Sequence, residues 1–157
     1  NQLHLGTGQD KTFGIDLLNR VRPGDLALRD VGYFGIANFR VVELRGAFWL
    51  SRLPLTVEAV SEKGVALEEI LRKHRGNLLD IRVRFTAEGH PARLVAICAS
   101  KAKSAKRRRE HRSYARQSGR TTPAKTFIRD GWHLLVTNVS QSIQTPADLA
   151  AQPCSGR

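Results

Sequence analysis

Leu26-Ala27-Leu28-Arg29-Asp30-Val31-Gly32-Tyr33-Phe34 is the stretch on which the reading of this chain turns. A short apolar run climbs to one acid, Asp30, and Gly32 and two aromatics follow at once. An acid at the end of a buried strand loses about 1–3 kcal/mol or more unless it has a partner or a metal. Two readings stand side by side. Asp30 can cap the helix that follows, because strand-to-helix turns favour Asp at that position. Alternatively it is a metal-binding carboxylate.

The flanking sequence supplies the context. Upstream, Leu3 and Leu5 alternate with polar neighbours and meet Gly6-Thr7-Gly8, as at the end of a strand. Asp10 or Thr12 can cap a helix over Phe13–Val21, which Pro23-Gly24 stops. Downstream, Ile36–Leu44 reads as a second helix with Ala37, Val41 and Leu44 on one face, closed by Gly46. Ala47–Leu53, AFWLSRL, reads as another strand. The order strand-helix-strand-helix-strand implies an α/β fold with parallel strands. Ligand chemistry in such sheets gathers at the carboxyl ends of the strands, where Asp30 falls.

Beyond Pro54 the pattern changes. Leu55–Val60 reads as a short strand and Leu67–Lys73 as a short helix. From Leu79 the alternation is strict: Leu79, Ile81, Val83 and Phe85 against Asp80, Arg82, Arg84 and Thr86. Glu88-Gly89-His90-Pro91 is a turn, and Arg93–Ala99 is the returning strand of an antiparallel hairpin. Such a block beside parallel βα units suggests an insertion or a second small domain. The expected division is residues 1–54 for the first core segment, 55–126 for the insertion, and 127–157 for a return strand and tail. In that last segment Phe127–Val139 contains Leu134-Leu135-Val136, an unbroken apolar run typical of a strand buried on both faces.

Charge narrows the partners. The 157 residues carry a net charge of +12, and the pI is near 10.8, a balance suited to an anionic partner. Lys101–Arg120 holds nine of the 26 basic residues against one acid, Glu110. A merely solvated face mixes signs to limit repulsion, so this segment reads as a phosphate-contacting helix or arm, with Lys106, Arg107, Arg108, Arg109 and Arg112 at its centre. Charges interrupt every apolar run well short of a membrane span. Cys98 and Cys154 form no CxxC motif, and the five histidines form no zinc pattern, so a reduced, cytoplasmic protein is expected. The sequence contains no Met and starts at Asn1, which reads as a piece of something longer or a processed chain.

Four pieces, in order, resemble the bacterial DDE transposases of the insertion-sequence-four family, whose catalytic core is RNase H-like. Gly24-Asp25-Leu26 followed by Asp30, Gly32, Tyr33 and Phe34 is similar to the family's second catalytic motif. The strand with Phe48 and Arg52 resembles the Phe-x-x-Arg strand after it. The basic, antiparallel middle is similar to the family's β-rich insertion, and Trp132-His-Leu-Leu-Val-Thr-Asn138 resembles the Trp…Thr-Asn strand that leaves it. The fold implied is a partial RNase H-like core carrying an antiparallel β-rich insertion.

The resemblance implies that Asp30 is the second of three carboxylates binding Mg²⁺ or Mn²⁺. It implies that Arg52 contacts DNA near the scissile phosphate, and that Trp132 stacks on a base displaced from the transposon end. The implied activity is metal-dependent DNA cleavage and strand transfer, with transposon ends and target DNA as partners and a possible homodimer in the intact enzyme. The family's first Asp lies upstream of the point where this sequence begins. Its Glu motif, Tyr-x-x-Arg-Trp-x-Ile-Glu, finds no match in the tail QPCSGR. Alone, the chain is therefore expected to be inactive. The rival reading is a non-enzymatic basic nucleic-acid-binding module with Asp30 as a helix cap.

Overall fold

A computed structural model describes residues 20–151. The expected strand around Leu3–Leu5 and nearly all of the expected Phe13–Val21 helix lie outside those residues. Strand β1 (Leu26–Arg29) leads through a single 3₁₀ turn (Val31–Tyr33) into α1 (Ile36–Leu44), and α1 leads into β2 (Phe48–Arg52). β1 and β2 are parallel, with Leu26 opposite Phe48 and Arg29 opposite Ser51. The turn out of α1 is a Schellman motif. Ala47 N–H donates to Val42 O at 3.1 Å and Gly46 N–H to Glu43 O at 2.9 Å. Gly46 has φ +69°, a value that disfavours any side chain, and this is why a glycine closes the helix.

Next come β3 (Ala59–Ser61), α2 (Leu67–Lys73), β4 (Leu78–Phe85) and β5 (Pro91–Cys98). The basic segment is one 17-residue helix, α3 (Lys101–Gln117), capped by the Ser100 hydroxyl, which accepts from Lys103 N–H. A short helix α4 (Ala124–Arg129), strand β6 (Trp132–Thr137) and α5 (Pro146–Ala151) complete the described chain. Phe127–Arg129 is helical, so the return strand begins only at Trp132.

The six strands among the described residues form one sheet in the order β1-β2-β6-β5-β4-β3. Among them β1–β2 is the one parallel pair, and every other neighbour is antiparallel. β6 sits between β2 and β5 and joins the βα unit to the hairpin. Its side chains alternate between two cores. Leu134 and Val136 belong to the large cluster under the helices, while Leu135 packs with Leu50, Val95 and Leu149 on the other face. That explains the unbroken apolar run.

The large core is built on aromatics. Phe39 stacks on Trp49 with centroids 3.9 Å apart and planes within 8°, and Phe34 meets Phe39 and Phe85 edge-on at 5.0 and 5.4 Å. The buried face of α1 is therefore Phe39 and Val42. Val41 packs partly against the core, but Ala37 is exposed and Leu44 is 88% exposed, which corrects the expected Ala37-Val41-Leu44 face. Phe39 and Trp49 bury more area together than that aliphatic row could, and they set the helix rotation. Trp49 Nε1–H donates to Glu43 Oε1 at 2.8 Å, so the buried indole is satisfied.

The ends of β2 and β6 are fastened by side chains acting as backbone. Asn138 Oδ1 accepts from Trp49 N–H at 2.8 Å, and its Nδ2 donates to Ala47 O at 3.2 Å. The Thr137 hydroxyl donates to Trp49 O. The Thr-Asn pair that ends the strand motif thus holds the sheet together.

Candidate nucleic-acid interface

β1 and β2 run in parallel, so Asp30 and Arg52 leave the sheet at the same end. β6 is antiparallel to β2 and starts there with Trp132 and His133. Between these termini and α3 lies a cleft of about 370 Å³ lined by Val31, Arg52, Arg107, His111, Trp132 and His133, among others. Several of the residues singled out in the sequence meet at this one place.

Asp30 itself is solvent-exposed and follows a half-buried strand. The premise of a costly buried acid does not hold. Its Oδ1 accepts from Val31 N–H at 2.7 Å and caps the 3₁₀ turn. Phe34, four residues on, anchors that turn in the aromatic core. Asp30 is thus held in place at the cleft's edge, next to Val31, which lines it.

Arg52 and His133 project from neighbouring strands on the same face of the sheet, since Arg52 pairs with Leu135 and His133 lies two residues from it. Arg52 is half-buried and its guanidinium has no hydrogen-bond partner among the described residues. Arg107 reaches down from α3. It donates to Trp132 O at 3.0 Å and to Asp130 O at 3.4 Å, and its Nη2 lies 3.0 Å from His133 Nδ1. A guanidinium only donates, so His133 Nδ1 accepts and the ring's own proton belongs on Nε2. Burial holds the His133 imidazole below its ordinary pKa, and the positive charges of Arg107, Lys103 and Arg52 push it the same way. The ring therefore stands among three cations.

Trp132 is half-buried, with one side packed on the large core and its ring 5.9 Å from that of His74. The rest of it lines the cleft. It is both a core aromatic and an available surface.

The basic residues of α3 divide by role. Arg108 turns inward and donates to Phe127 O at 3.1 Å, and the Arg112 guanidinium lies 5.0 Å from the Phe127 ring centroid. Lys106 is exposed and lies 3.8 Å from Glu110, and Arg109 is exposed. The acids of the cleft are largely answered. Asp130, 3% exposed, pairs with His111 Nδ1 at 3.0 Å. Arg129, also 3% exposed, pairs with Glu68 at 2.6 Å and donates to Pro54 O at 3.0 Å, tying α4 to α2 and to the end of β2.

His133 is the residue that sequence reading passed over. Screening histidines for zinc spacing finds nothing. The usable signal was strand alternation, which sends His133 to the face opposite Trp132 and toward Arg52.

The donor set does not fit a divalent metal. Mg²⁺ and Mn²⁺ need several oxygen ligands, whereas no group of three or more His, Cys, Asp or Glu among the described residues could hold an ion. One Asp30 oxygen is already engaged by Val31. No helix among the described residues is long and apolar enough to cross a membrane.

Comparison with known proteins points one way. No protein-family model matches the chain, and no solved structure matches it significantly. A stretch of 54 residues is 46% identical to the transposase for insertion sequence element IS231B of Bacillus thuringiensis subsp. berliner. It is 44% identical to that of IS231F from subsp. israelensis and 43% to that of IS231E from subsp. finitimus. In each case the match covers 34% of this chain and 11% of the relative. A third of this chain is therefore similar to insertion-sequence transposases, and the match spans about a ninth of their length.

Proposed function

We propose that the chain is a DNA-binding part of an insertion-sequence transposase of the DDE type, and that the cleft between β1, β2, β6 and α3 holds the DNA backbone. The observation that carries this reading is the convergence of Arg52, Arg107 and His133 at the carboxyl ends of the two parallel strands. Burial, together with the charges of Arg107, Lys103 and Arg52, holds the His133 pKa down, and a phosphate group would offset those charges. The similarity to transposases supplies the class of anion.

In this reading the Arg52 guanidinium makes charge-assisted hydrogen bonds to a backbone phosphate. His133 donates from Nε2 in its neutral form and gains affinity for the same phosphate when protonated. Trp132 offers a flat face to an unpaired base, a contact worth about 1–3 kcal/mol. Lys106 and Arg109, exposed on α3, attract the duplex at longer range. Asp30 stands where the family's second carboxylate would, but the described donor set does not complete a metal site, so the chemistry supported here is DNA holding.

The test is fluorescence anisotropy of the whole chain with duplex DNA over a salt series. The reading expects a linear fall of log affinity with log salt, and a slope shallower by about 0.9 in Arg52→Ala. An unchanged slope would remove Arg52 from the interface. No measurable affinity at low salt would remove the reading altogether.

A further inference from the structure

The cleft continues along one flank of α3. At 100° per residue, Lys103, Arg107, Glu110 and Tyr114 follow one another on the same side of the helix. Arg107 and Glu110 line the cleft, and Tyr114 is the next step outward. It lies roughly 10 Å from Arg107 along the axis, about two turns. The inner row of the helix is different: Ser104 and Ala115 are buried, and Arg108 turns to Phe127. Tyr114 is 71% exposed. Among the described residues no packing role accounts for it, and in a helix otherwise so polar it gives no apolar face to the core.

We infer that Tyr114 is a second stacking platform, which takes an unpaired nucleobase from a strand whose phosphates run from the Arg52–His133 cleft along α3. The inference rests on the proposed DNA-binding reading and adds a subsite to it. Three features make the track suitable. Trp132 and Tyr114 stand at its two ends with Arg107 between them, which is the alternation of flat aromatics and cations that binds single strands without regard to sequence. The rise of about 10 Å from Arg107 to Tyr114 corresponds to roughly three phosphate steps along a single strand at 3.4 Å each. Lys103 adds positive charge on the same flank, and the one acid there, Glu110, sits 3.8 Å from Lys106, which partly neutralises it. Tyr presents its ring at low entropic cost, because only two side-chain torsions need fixing.

Tyr114→Ala and Tyr114→Trp should be compared with the unsubstituted chain by anisotropy against fluorescein-labelled oligo-deoxythymidylate and against a blunt duplex of equal length. The expected result is a loss of about tenfold or more in single-strand affinity for Tyr114→Ala, little change for the duplex, and retained or improved single-strand affinity for Tyr114→Trp. Equal losses on both substrates would overturn the stacking role, as would single-strand affinity unchanged by Tyr114→Ala. Arg52→Ala separates the two claims. If it weakens duplex binding while Tyr114→Ala changes nothing, the cleft stands and the second platform falls. If the unsubstituted chain binds neither substrate, both fall.

Discussion

Two clefts lined by the described residues differ in a way that size conceals. The larger, about 590 Å³, lies at the opposite end of the sheet and is lined by three acids and three arginines: Glu43, Glu62, Asp80, Arg82, Arg84 and Arg93. Its charges are equal in number, and most of them answer one another. Arg93 holds Asp80 in a two-pronged pair at 2.9 and 2.8 Å, and Glu43 accepts from Trp49 and lies 3.2 Å from His90. In the smaller cleft the acids are likewise paired, but Arg52 is left over and Arg107 crowds a histidine. A balanced cleft is a piece of architecture, whereas an unbalanced one has an affinity to spend. Unoffset charge, and not volume, is what distinguishes the end of the sheet proposed to hold DNA.

Substitutions can break that contrast, beginning with the buried arginine that each cleft contains. Arg129→Ala strips a buried pair and leaves Glu68 without its partner, so a loss of about 3–5 kcal/mol is expected in urea unfolding. Arg93, 8% exposed, should cost a similar amount at the other end. If either cost less than about 1 kcal/mol, the view of these arginines as structural would fail.

A second comparison sets Arg52→Ala against Arg84→Ala. Both remove one positive charge, and only the first should flatten the salt dependence of DNA binding, by about 0.9 in slope. Equal slopes in the two variants would erase the functional distinction between the clefts.

His133 gives a smaller effect with a definite sign. Its folded pKa lies below that of the unfolded chain, so the unfolded state takes up the proton first as pH falls. Its contribution is therefore fully present above the ordinary histidine pKa of about 6.5 and is lost as pH drops from there through the depressed value. His133→Asn should make the thermal midpoint fall less steeply between neutral and mildly acidic pH. A steeper fall would reverse the assignment.

The smallest effect belongs to Asp30. Asn caps as well as Asp, so Asp30→Asn should shift unfolding by less than about 0.5 kcal/mol, while Asp30→Ala should lose roughly 1 kcal/mol. Equal losses would mean that the carboxylate's charge, and not its capping bond, holds the turn.

How legible the molecule was depends on what each segment answers to. Ile36–Leu44 and Leu67–Lys73 have their expected bounds, the first because Gly46 closes it. The β4–β5 hairpin was visible in the alternation from Leu79 to Phe85. The burial of α1 was misjudged because Phe39 answers to Trp49, a residue of the next strand. Phe127–Arg129 looked like strand because it adjoins one. It is helical, with Arg129 fixed by Glu68, 61 residues earlier. The cleft was legible as a set of residue types but not as a place. Arg52, Arg107, Trp132 and Val31 meet only because β6 returns between β2 and β5, and no local pattern reports a strand order. Asp30 was overrated as a buried acid, since the run before it is only half-buried.

The Thr137–Asn138 clasp on β2 also bears on how the chain comes together. Its bonds to Trp49 and Ala47 span 88 to 91 residues, among the most non-local contacts described here. β4 and β5 need only a tight turn to pair, so the hairpin can form early and by itself. On a chain emerging from its N-terminus, the edge of β2 that faces β6 waits until nearly the whole described sequence has been made. An open strand edge is a template for pairing with other chains, and long-range pairing is slow. A product that stopped short of Thr137 would therefore leave that edge bare and be prone to association. The Trp…Thr-Asn strand would then act as a seal on the sheet as well as one wall of the cleft.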